Sequence, residues 1–335
     1  MTETPLLRVE GLTRHFPLGH RLFGRGPGSV QALTDVSFTL SAGHTLALVG
    51  ESGCGKTTAA RTIAGLYRPD AGRVLFKGDD LSRLSGRARK AARRAMQMVF
   101  QDPFGSLNPR LTVGAIVTEP LVIHRVGTRT ERRARVDEVM ISVGLDPRDA
   151  LRHPHEFSGG QRQRIAIARA LAVEPDMIIA DEPLSALDVS IQSQVLNLMK
   201  DLQENRGLAF LFITHDLAVV DTFADDVAVM YLGRLVELAP REMLFAAPRH
   251  PYTRTLMAAV PVPGHGKRKP GTAPAGEVPS PVTPPPGCPF HPRCPRALPV
   301  CRAEMPALTS GGTGRFVACH NPEQDATTET TGAAR

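Results

Sequence analysis

HTLALVGESGCGKTTAARTIAG, residues 44–65, joins a strand to a helix through a glycine-rich turn. The apolar run His44 to Val49 reads as a buried strand, and the pattern turns helical from Lys56 onward. Between them stands Gly50-Glu51-Ser52-Gly53-Cys54-Gly55-Lys56-Thr57, followed by Thr58. This is G-x-x-x-x-G-K-[ST] in the strand-to-helix context that gives the motif its chemistry. Glycines let backbone N–H groups converge on phosphate oxygens without a Cβ in the way. The helix N-terminus adds donors and a partial positive charge. A lysine at position 56 can reach the outer phosphates of a nucleotide, and the Thr57 hydroxyl can ligate Mg²⁺.

A second apolar run, MIIADEP at 177–183, closes on two carboxylates. Asp181 at the strand end is placed to hold Mg²⁺ through water. Glu182 is placed to polarise an attacking water as general base. Two further buried-strand candidates, LAFLFIT (208–214) and DVAVMY (226–231), alternate with helical segments. Strands alternating with helices predict an α/β fold with a mostly parallel sheet covered on both faces. Residues 6–49 instead read as an antiparallel β flap around a Gly- and Arg-containing loop at 19–29. Residues 112–156 lack strand alternation and read as a helical insertion. FSGGQRQRIAIARALA (157–172) follows as a glycine turn and an amphipathic helix, with Ile165, Ala168, Leu171 and Ala172 on its apolar face.

With 42% hydrophobic and 22% charged residues, the 335-residue chain can bury a core of one large or two modest domains. Its net charge is +7, but Arg87, Arg89, Lys90, Arg93 and Arg94 cluster without interleaved aromatics. We read that cluster as a solvated helix face, and expect no nucleic-acid partner. The N-terminus lacks the apolar segment of a signal peptide, and no apolar run approaches the ~20 residues that span a bilayer. A membrane role is therefore expected through a partner.

At this point the chain resembles the ATPases of ABC transporters. Ser158-Gly159-Gly160-Gln161, with Arg162-Gln163-Arg164 after it, looks like that family's signature, with Phe157 where leucine is commonest. Gln101, ending MQMVFQ, resembles the Q-loop glutamine; Ser185-Ala186-Leu187-Asp188 resembles the D-loop; His215 resembles the switch histidine. With the phosphate loop and the DE strand, six motifs stand in the family's order. The resemblance implies a P-loop cassette with an N-terminal antiparallel β subdomain and a helical signature subdomain at about 112–172. It implies ATP and Mg²⁺ as ligands, with Mg²⁺ held by Thr57, Gln101 and, through water, Asp181. It implies a head-to-tail cassette dimer, in which the Ser158–Gln161 turn of one chain closes on the ATP of the other. His215 would then contact the γ-phosphate and keep Glu182 and the water in line. Phe16 fits the position of the adenine-stacking aromatic, with His15 as the other candidate.

The C-terminal third narrows the resemblance. Arg249-His250-Pro251-Tyr252-Thr253 and GEVPSPVTPPPGCPFHPRC (276–294) look like the tail of oligopeptide, dipeptide and nickel importer ATPases. The expected organisation is a cassette at 6–260, a Pro/Gly-rich linker at 261–287, a Cys-rich extension at 288–320 and a disordered tail at 321–335. The implied partners are a sister ATPase, two transmembrane permeases and an extracytoplasmic substrate-binding protein, with the chain peripheral on the cytoplasmic membrane face. The alternative was a soluble ABC ATPase acting on DNA or ribosomes, and the single cassette with its short insertion favours transport. Cys288, Cys294, Cys301 and Cys319 are spaced C-x5-C-x6-C-x17-C. Four thiols so clustered suit a [4Fe–4S] cluster, Zn²⁺ or free thiols; the resemblance favours the iron–sulfur cluster.

Overall fold

A computed structural model describes residues 4–19, 28–258, 276–312 and 314–323. Residues 20–27 of the anticipated loop, 259–260 at the end of the anticipated cassette, 261–275 of the linker and 324–335 of the tail lie outside the described residues. The chain opens with β1 (Leu7–Pro17), β2 (Ser29–Leu40) and β3 (Thr45–Val49), then α1 (Lys56–Ile63), β4 (Ala71–Phe76) and β5 (Asp79–Asp80). Next come α2 (Gly86–Ala95), β6 (Met96–Val99), α3 (Pro103–Ser106), α4 (Val113–His124), α5 (Arg129–Ser142) and α6 (Gly159–Leu171). The sheet resumes with β7 (Met177–Asp181), α7 (Val189–Arg206), β8 (Ala209–Thr214), α8 (Leu217–Phe223), β9 (Asp226–Tyr231) and β10 (Arg234–Pro240). The described chain ends with α9 (Arg241–Ala246), α10 (Pro251–Ala258), β11 (Thr309–Ser310) and β12 (Phe316–Val317).

Two sheets result. One is antiparallel, in the order β2-β1-β4-β5. The other has the order β11-β12-β10-β9-β3-β8-β7-β6, and its strands from β9 to β6 run parallel. Every residue of β3, β7 and β8 is buried. That is why their sequences are unbroken apolar runs: helices cover both faces of a parallel sheet. The insertion is helical, and α6 turns Ile165, Ala168 and Leu171 into one core with Val117 of α4 and Met140 of α5. No residue of the basic helix α2 is fully buried, as a solvated face requires. No described helix is long and apolar enough to cross a membrane.

The C-terminal extension is not a loose appendage. Strand β12 pairs antiparallel with β10 and extends the main sheet. Phe290, 1% exposed, sits in a box made by Tyr231, Tyr252 and His250, with ring centroids 5.3, 5.4 and 5.8 Å away. Burying such a ring stabilises the contact by about 2–3 kcal/mol. The Arg249-His250-Pro251-Tyr252 segment is held from beneath by Glu237, a carboxylate with no exposed surface. Glu237 accepts the backbone N–H groups of Arg249 and His250, each at 2.9 Å. The Nδ1 of His250 then accepts the N–H of Tyr252 at 3.0 Å, so that nitrogen carries no proton.

Burial pushes the His250 imidazole down to about 3 from its ordinary 6.5. Above pH 6.5 neither the folded nor the unfolded chain protonates it. Below that, the unfolded chain takes up a proton that the folded chain refuses, so stability falls as pH falls from 6.5 toward 3. The expected loss is about 2 kcal/mol by roughly pH 5. Urea unfolding midpoints across this range measure it. In His250→Asn the carboxamide oxygen can accept the same N–H without titrating, so the slope should flatten. A mutant slope equal to that of the wild type would remove the assignment.

Candidate active site

The loop after β3 is shaped by its own chain. Gly55 has φ +108, and a Cβ there would lie 2.2 Å from the Ala32 carbonyl oxygen of β2. A Cβ on Gly50 would lie 2.3 Å from the Met230 carbonyl oxygen of β9 and 2.7 Å from Cys54 Sγ. Gly53 has φ +79 but open space around it. Besides leaving room for phosphate, the absent Cβ at Gly50 and Gly55 lets the loop nest between two strands, and Gly53 supplies a left-handed turn. Cys54 is buried, and its carbonyl accepts the Gly233 N–H at 2.9 Å.

Lys56 is only 4% exposed. Its Nζ donates to the carbonyls of Gly50 (2.8 Å) and Glu51 (3.0 Å), which centres the ammonium within the loop. Thr57, on the first turn of α1, donates its hydroxyl to Asp181 Oδ1 at 2.9 Å. Asp181 is fully buried, and its other oxygen, Oδ2, has no hydrogen-bond partner. Burial pushes this carboxyl up, and the Thr57 hydroxyl partly offsets it. A buried, unpartnered carboxylate oxygen beside a threonine hydroxyl fits a hard cation with oxygen ligands.

Glu182 follows at the end of β7 with φ +47, a left-handed conformation costing about 1–3 kcal/mol in a non-glycine residue. Its N–H donates to the Ile213 carbonyl at 3.0 Å, and its own carbonyl accepts the Ser185 hydroxyl at 3.0 Å. Two separate loops meet its carboxylate. Gln101 Nε2 donates to Oε2 at 3.0 Å, and His215 Nδ1 lies 3.6 Å from Oε1. Four loops therefore converge on one place: 50–57, 101, 182 and 215.

The signature turn is built differently. Ser158 caps α6: its hydroxyl accepts the Gln161 N–H at 3.3 Å, and the Gln161 carboxamide accepts the Ser158 N–H at 3.0 Å. Such a reciprocal cap contributes about 1 kcal/mol. A Cβ on Gly160 would stand 2.3 Å from the Ile191 side chain, and one on Gly159 3.4 Å from Leu187. The turn thus packs against the segment Ser185–Asp188, where Ser185, Ala186 and Asp188 are exposed. Phe16 lies at the far end of β1. The Arg14 guanidinium covers one of its faces at 4.6 Å, and Tyr67 meets it edge-on at 5.4 Å. His15 bonds Thr34 Oγ1 at 3.1 Å.

The tail cysteines depart from the implied ligand set. Cys288 and Cys301 are buried in the core formed with Phe290, Tyr231 and Tyr252. Cys319 Sγ accepts the Asn321 N–H at 3.4 Å. Burial pushes Cys288 up to about 11 and raises Cys294 and Cys319, and the neighbouring thiols add to each shift. The four are thus neighbours, yet among the described residues no three Cys, His, Asp or Glu side chains are gathered to hold a metal ion. Cys288 and Cys301 therefore contribute to the core beside these aromatic rings.

One participant was not legible from the sequence. Arg293 of the extension makes a two-pronged ion pair with Glu51 inside the phosphate loop, Nη1 to Oε2 at 2.9 Å and Nη2 to Oε1 at 3.2 Å. Tyr252 joins it, accepting the Glu51 N–H on its hydroxyl at 2.9 Å. The motifs around both residues are visible in the sequence, but nothing in them names a partner about two hundred positions away.

Residues 33–185 match the sequence family described as ABC transporter, and residues 236–301 match the oligopeptide/dipeptide transporter C-terminal region. A probable peptide ABC transporter ATP-binding protein of Sinorhizobium fredii is 55% identical, over 94% of this chain and 89% of its own. The oligopeptide transport ATP-binding protein AppF of Bacillus subtilis is 52% identical, over 94% and 97%. Among solved structures, cbiO1 of Clostridium perfringens, part of an ABC transporter complex, superposes with a TM-score of 0.62 at 29% identity, covering 73% of this chain and 92% of its own. A dimeric post-hydrolysis ATP-binding cassette bound to ADP and Pi gives 0.60 at 30% identity, covering 70% and 98%.

Gly55→Ala should lower stability by about 2 kcal/mol, because the new Cβ meets a strand carbonyl and the left-handed backbone is strained. ATP affinity should fall with it. Thermal unfolding with and without nucleotide measures both, and wild-type values would show that the loop does not nest as described.

Proposed function

The chain belongs to the ATP-binding subunits of peptide ABC transporters, and on that premise we propose how its residues couple ATP hydrolysis to import. It is an ATPase that drives uptake of dipeptides or oligopeptides; nickel or another small solute is the alternative cargo for the same machinery. The observation that carries the reading is the convergence of Gln101 and His215 on the Glu182 carboxylate, one residue from the Thr57–Asp181 pair.

Lys56 and the loop N–H groups hold the β- and γ-phosphates, aided by the α1 dipole. Thr57, Gln101 and, through water, Asp181 are the residues that would hold Mg²⁺. Bound there, Mg²⁺ supplies charge neutralisation at the phosphate oxygens. Glu182 orients and deprotonates the attacking water. His215 contacts the γ-phosphate and holds the Glu182 carboxylate on line, while Gln101 links that carboxylate to the helical insertion. Phe16 offers its remaining ring face to adenine.

Ser158, Gly159, Gly160 and Gln161 act on the ATP of a second cassette. The Ser158 and Gln161 side chains are committed to the cap, so the turn offers its helix N-terminal N–H groups and dipole to the γ-phosphate. Ser185, Ala186, Leu187 and Asp188 lie beside the turn, and Val189 next to them is 78% exposed. An exposed apolar residue there suits a surface that a sister ATPase covers. ATP then joins the two cassettes, and hydrolysis separates them. Two transmembrane permeases receive that motion through residues 112–156, an extracytoplasmic binding protein delivers the peptide, and the chain works peripherally on the cytoplasmic membrane face. The exposed Val122, Ile123 and Ile141 on α4 and α5 support such a docking face.

The [4Fe–4S] cluster implied for Cys288, Cys294, Cys301 and Cys319 has no part in this chemistry. Iron and sulfide analysis of anaerobically purified protein tests it: a colourless, metal-free, folded protein removes the cluster, and about four irons per chain would establish it.

Glu182→Gln should abolish hydrolysis and leave an ATP-stabilised dimer, since the binding groups stay and only water activation is lost. Phosphate release and light scattering with ATP read the two effects. Normal turnover in this variant would displace Glu182 as the base. Ser158→Arg, mixed with wild-type chains, should silence the partner's site more than its own; equal damage to both would speak against head-to-tail closure.

A further inference from the structure

We propose that Arg293 of the C-terminal extension is a positioning residue of the ATP site, which neutralises the carboxylate that Glu51 carries inside the phosphate loop. The inference rests on the reading of residues 50–57 as the ATP-phosphate site. Glu51 poses a problem for that reading. It is the second residue of the loop, and its carbonyl shares the Lys56 ammonium with that of Gly50. A carboxylate at this point opposes the approach of a polyanion and competes for the positive field of Lys56 and the α1 terminus.

The geometry answers that problem. The Arg293 guanidinium meets both Glu51 oxygens, at 2.9 and 3.2 Å, the planar fork that suits a carboxylate. Its side chain is 6% exposed against 27% for Glu51, so the pair is shielded from salt on the arginine side. The guanidinium is fixed from behind as well. It lies 5.9 Å from the Tyr231 ring centroid and 3.5 Å from the Tyr231 hydroxyl. Phe290, three residues earlier, is locked among Tyr231, Tyr252 and His250. The same aromatic box presents the Tyr252 hydroxyl to the Glu51 N–H. The extension therefore grips Glu51 at its backbone and at its charge. It sets a full positive charge directly against the carboxylate.

The test compares ATP affinity, measured by a fluorescent ATP analogue displaced with ATP, in the full-length protein. Arg293→Gln leaves the carboxylate uncompensated and should raise the ATP dissociation constant on the order of tenfold. It should raise KM for hydrolysis more than it lowers kcat, because Glu182, Gln101 and His215 are untouched. Adding Glu51→Gln to Arg293→Gln removes the charge itself and should recover most of that loss. A residue needed only for packing would show no such recovery. Arg293→Lys keeps the charge without the fork and should bind ATP within about threefold of wild type at low salt, weakening as salt is added. Melting without nucleotide separates a loss of fold from a loss of site, and the lysine arm stands if Arg293→Gln does not fold. Wild-type affinity in Arg293→Gln overturns the proposal, as does a double variant no better than the single one, or a lysine variant as weak as the glutamine one. Lys56→Ala is the control: loss of ATP binding there with none in Arg293→Gln sinks only this inference. Retained binding in Lys56→Ala sinks the phosphate-site reading beneath it.

Discussion

Parallel pairing of β3, β8 and β7 is the constraint on which the site depends. In register, Val49 stands beside Thr214, and Ile213 beside Asp181. Val99 of β6 pairs with Ala180 in the same way. Each strand therefore ends on the same edge of the sheet, and the next residues of four distant segments emerge together. Gly50, Gln101, Glu182 and His215 are neighbours because the backbone hydrogen bonds of the sheet leave them no other place. A slip of one residue in β7 would turn Asp181 away from Thr57 and put Ile179 on the wrong face.

The sheet places the loops but does not hold the first of them. The phosphate loop is clasped by strands that come much earlier and much later: Ala32 of β2 beneath Gly55, Met230 of β9 beneath Gly50. The Tyr252 and Arg293 contacts add a third side from the extension. A loop with three left-handed glycine positions, Gly50, Gly53 and Gly55, would lose considerable conformational entropy on ordering. Packing it on three sides before nucleotide arrives moves that cost into folding, so the site is preorganised for phosphate. The same clasp explains why a tail so poor in regular structure is tied to the cassette by a buried aromatic box.

Local physics made much of this legible beforehand. The phosphate loop, β7, β8, β9 and the helical insertion all announce themselves by runs of apolar residues, glycine turns and helical spacing. Asp181, Glu182, Gln101 and His215 were legible as site residues because their order along the chain matched a known constellation. What stayed hidden was long-range. The Glu51–Arg293 pair spans 242 positions, and no periodicity links them. A packing role of Gly50 and Gly55 stayed hidden for the same reason, since the carbonyls that a Cβ would meet belong to other strands. For the tail cysteines the sequence left a cluster, Zn²⁺ and free thiols open, and burial beside Phe290, Tyr231 and Tyr252 adds a packing role for Cys288 and Cys301 that spacing alone does not reveal.

The signature turn shows what a single chain leaves undone. Ser158 and Gln161 satisfy one another, so the turn is rigid before it meets anything. Gly160 lets it sit against Ile191 of α7, directly after the Ser185–Asp188 segment. Ser185 in turn donates its hydroxyl to the Glu182 carbonyl. A continuous line of contacts thus runs from Glu182, through the exposed Ser185–Asp188 loop, to the capped N-terminus of α6. On the proposed head-to-tail docking, that line is what one site presents to the other. A change in the left-handed backbone at Glu182 would move Ser185, and with it the surface that the partner's ATP must find. The reciprocal cap keeps the turn ordered before any phosphate reaches it, so on that docking the partner's ATP meets a preformed helix end.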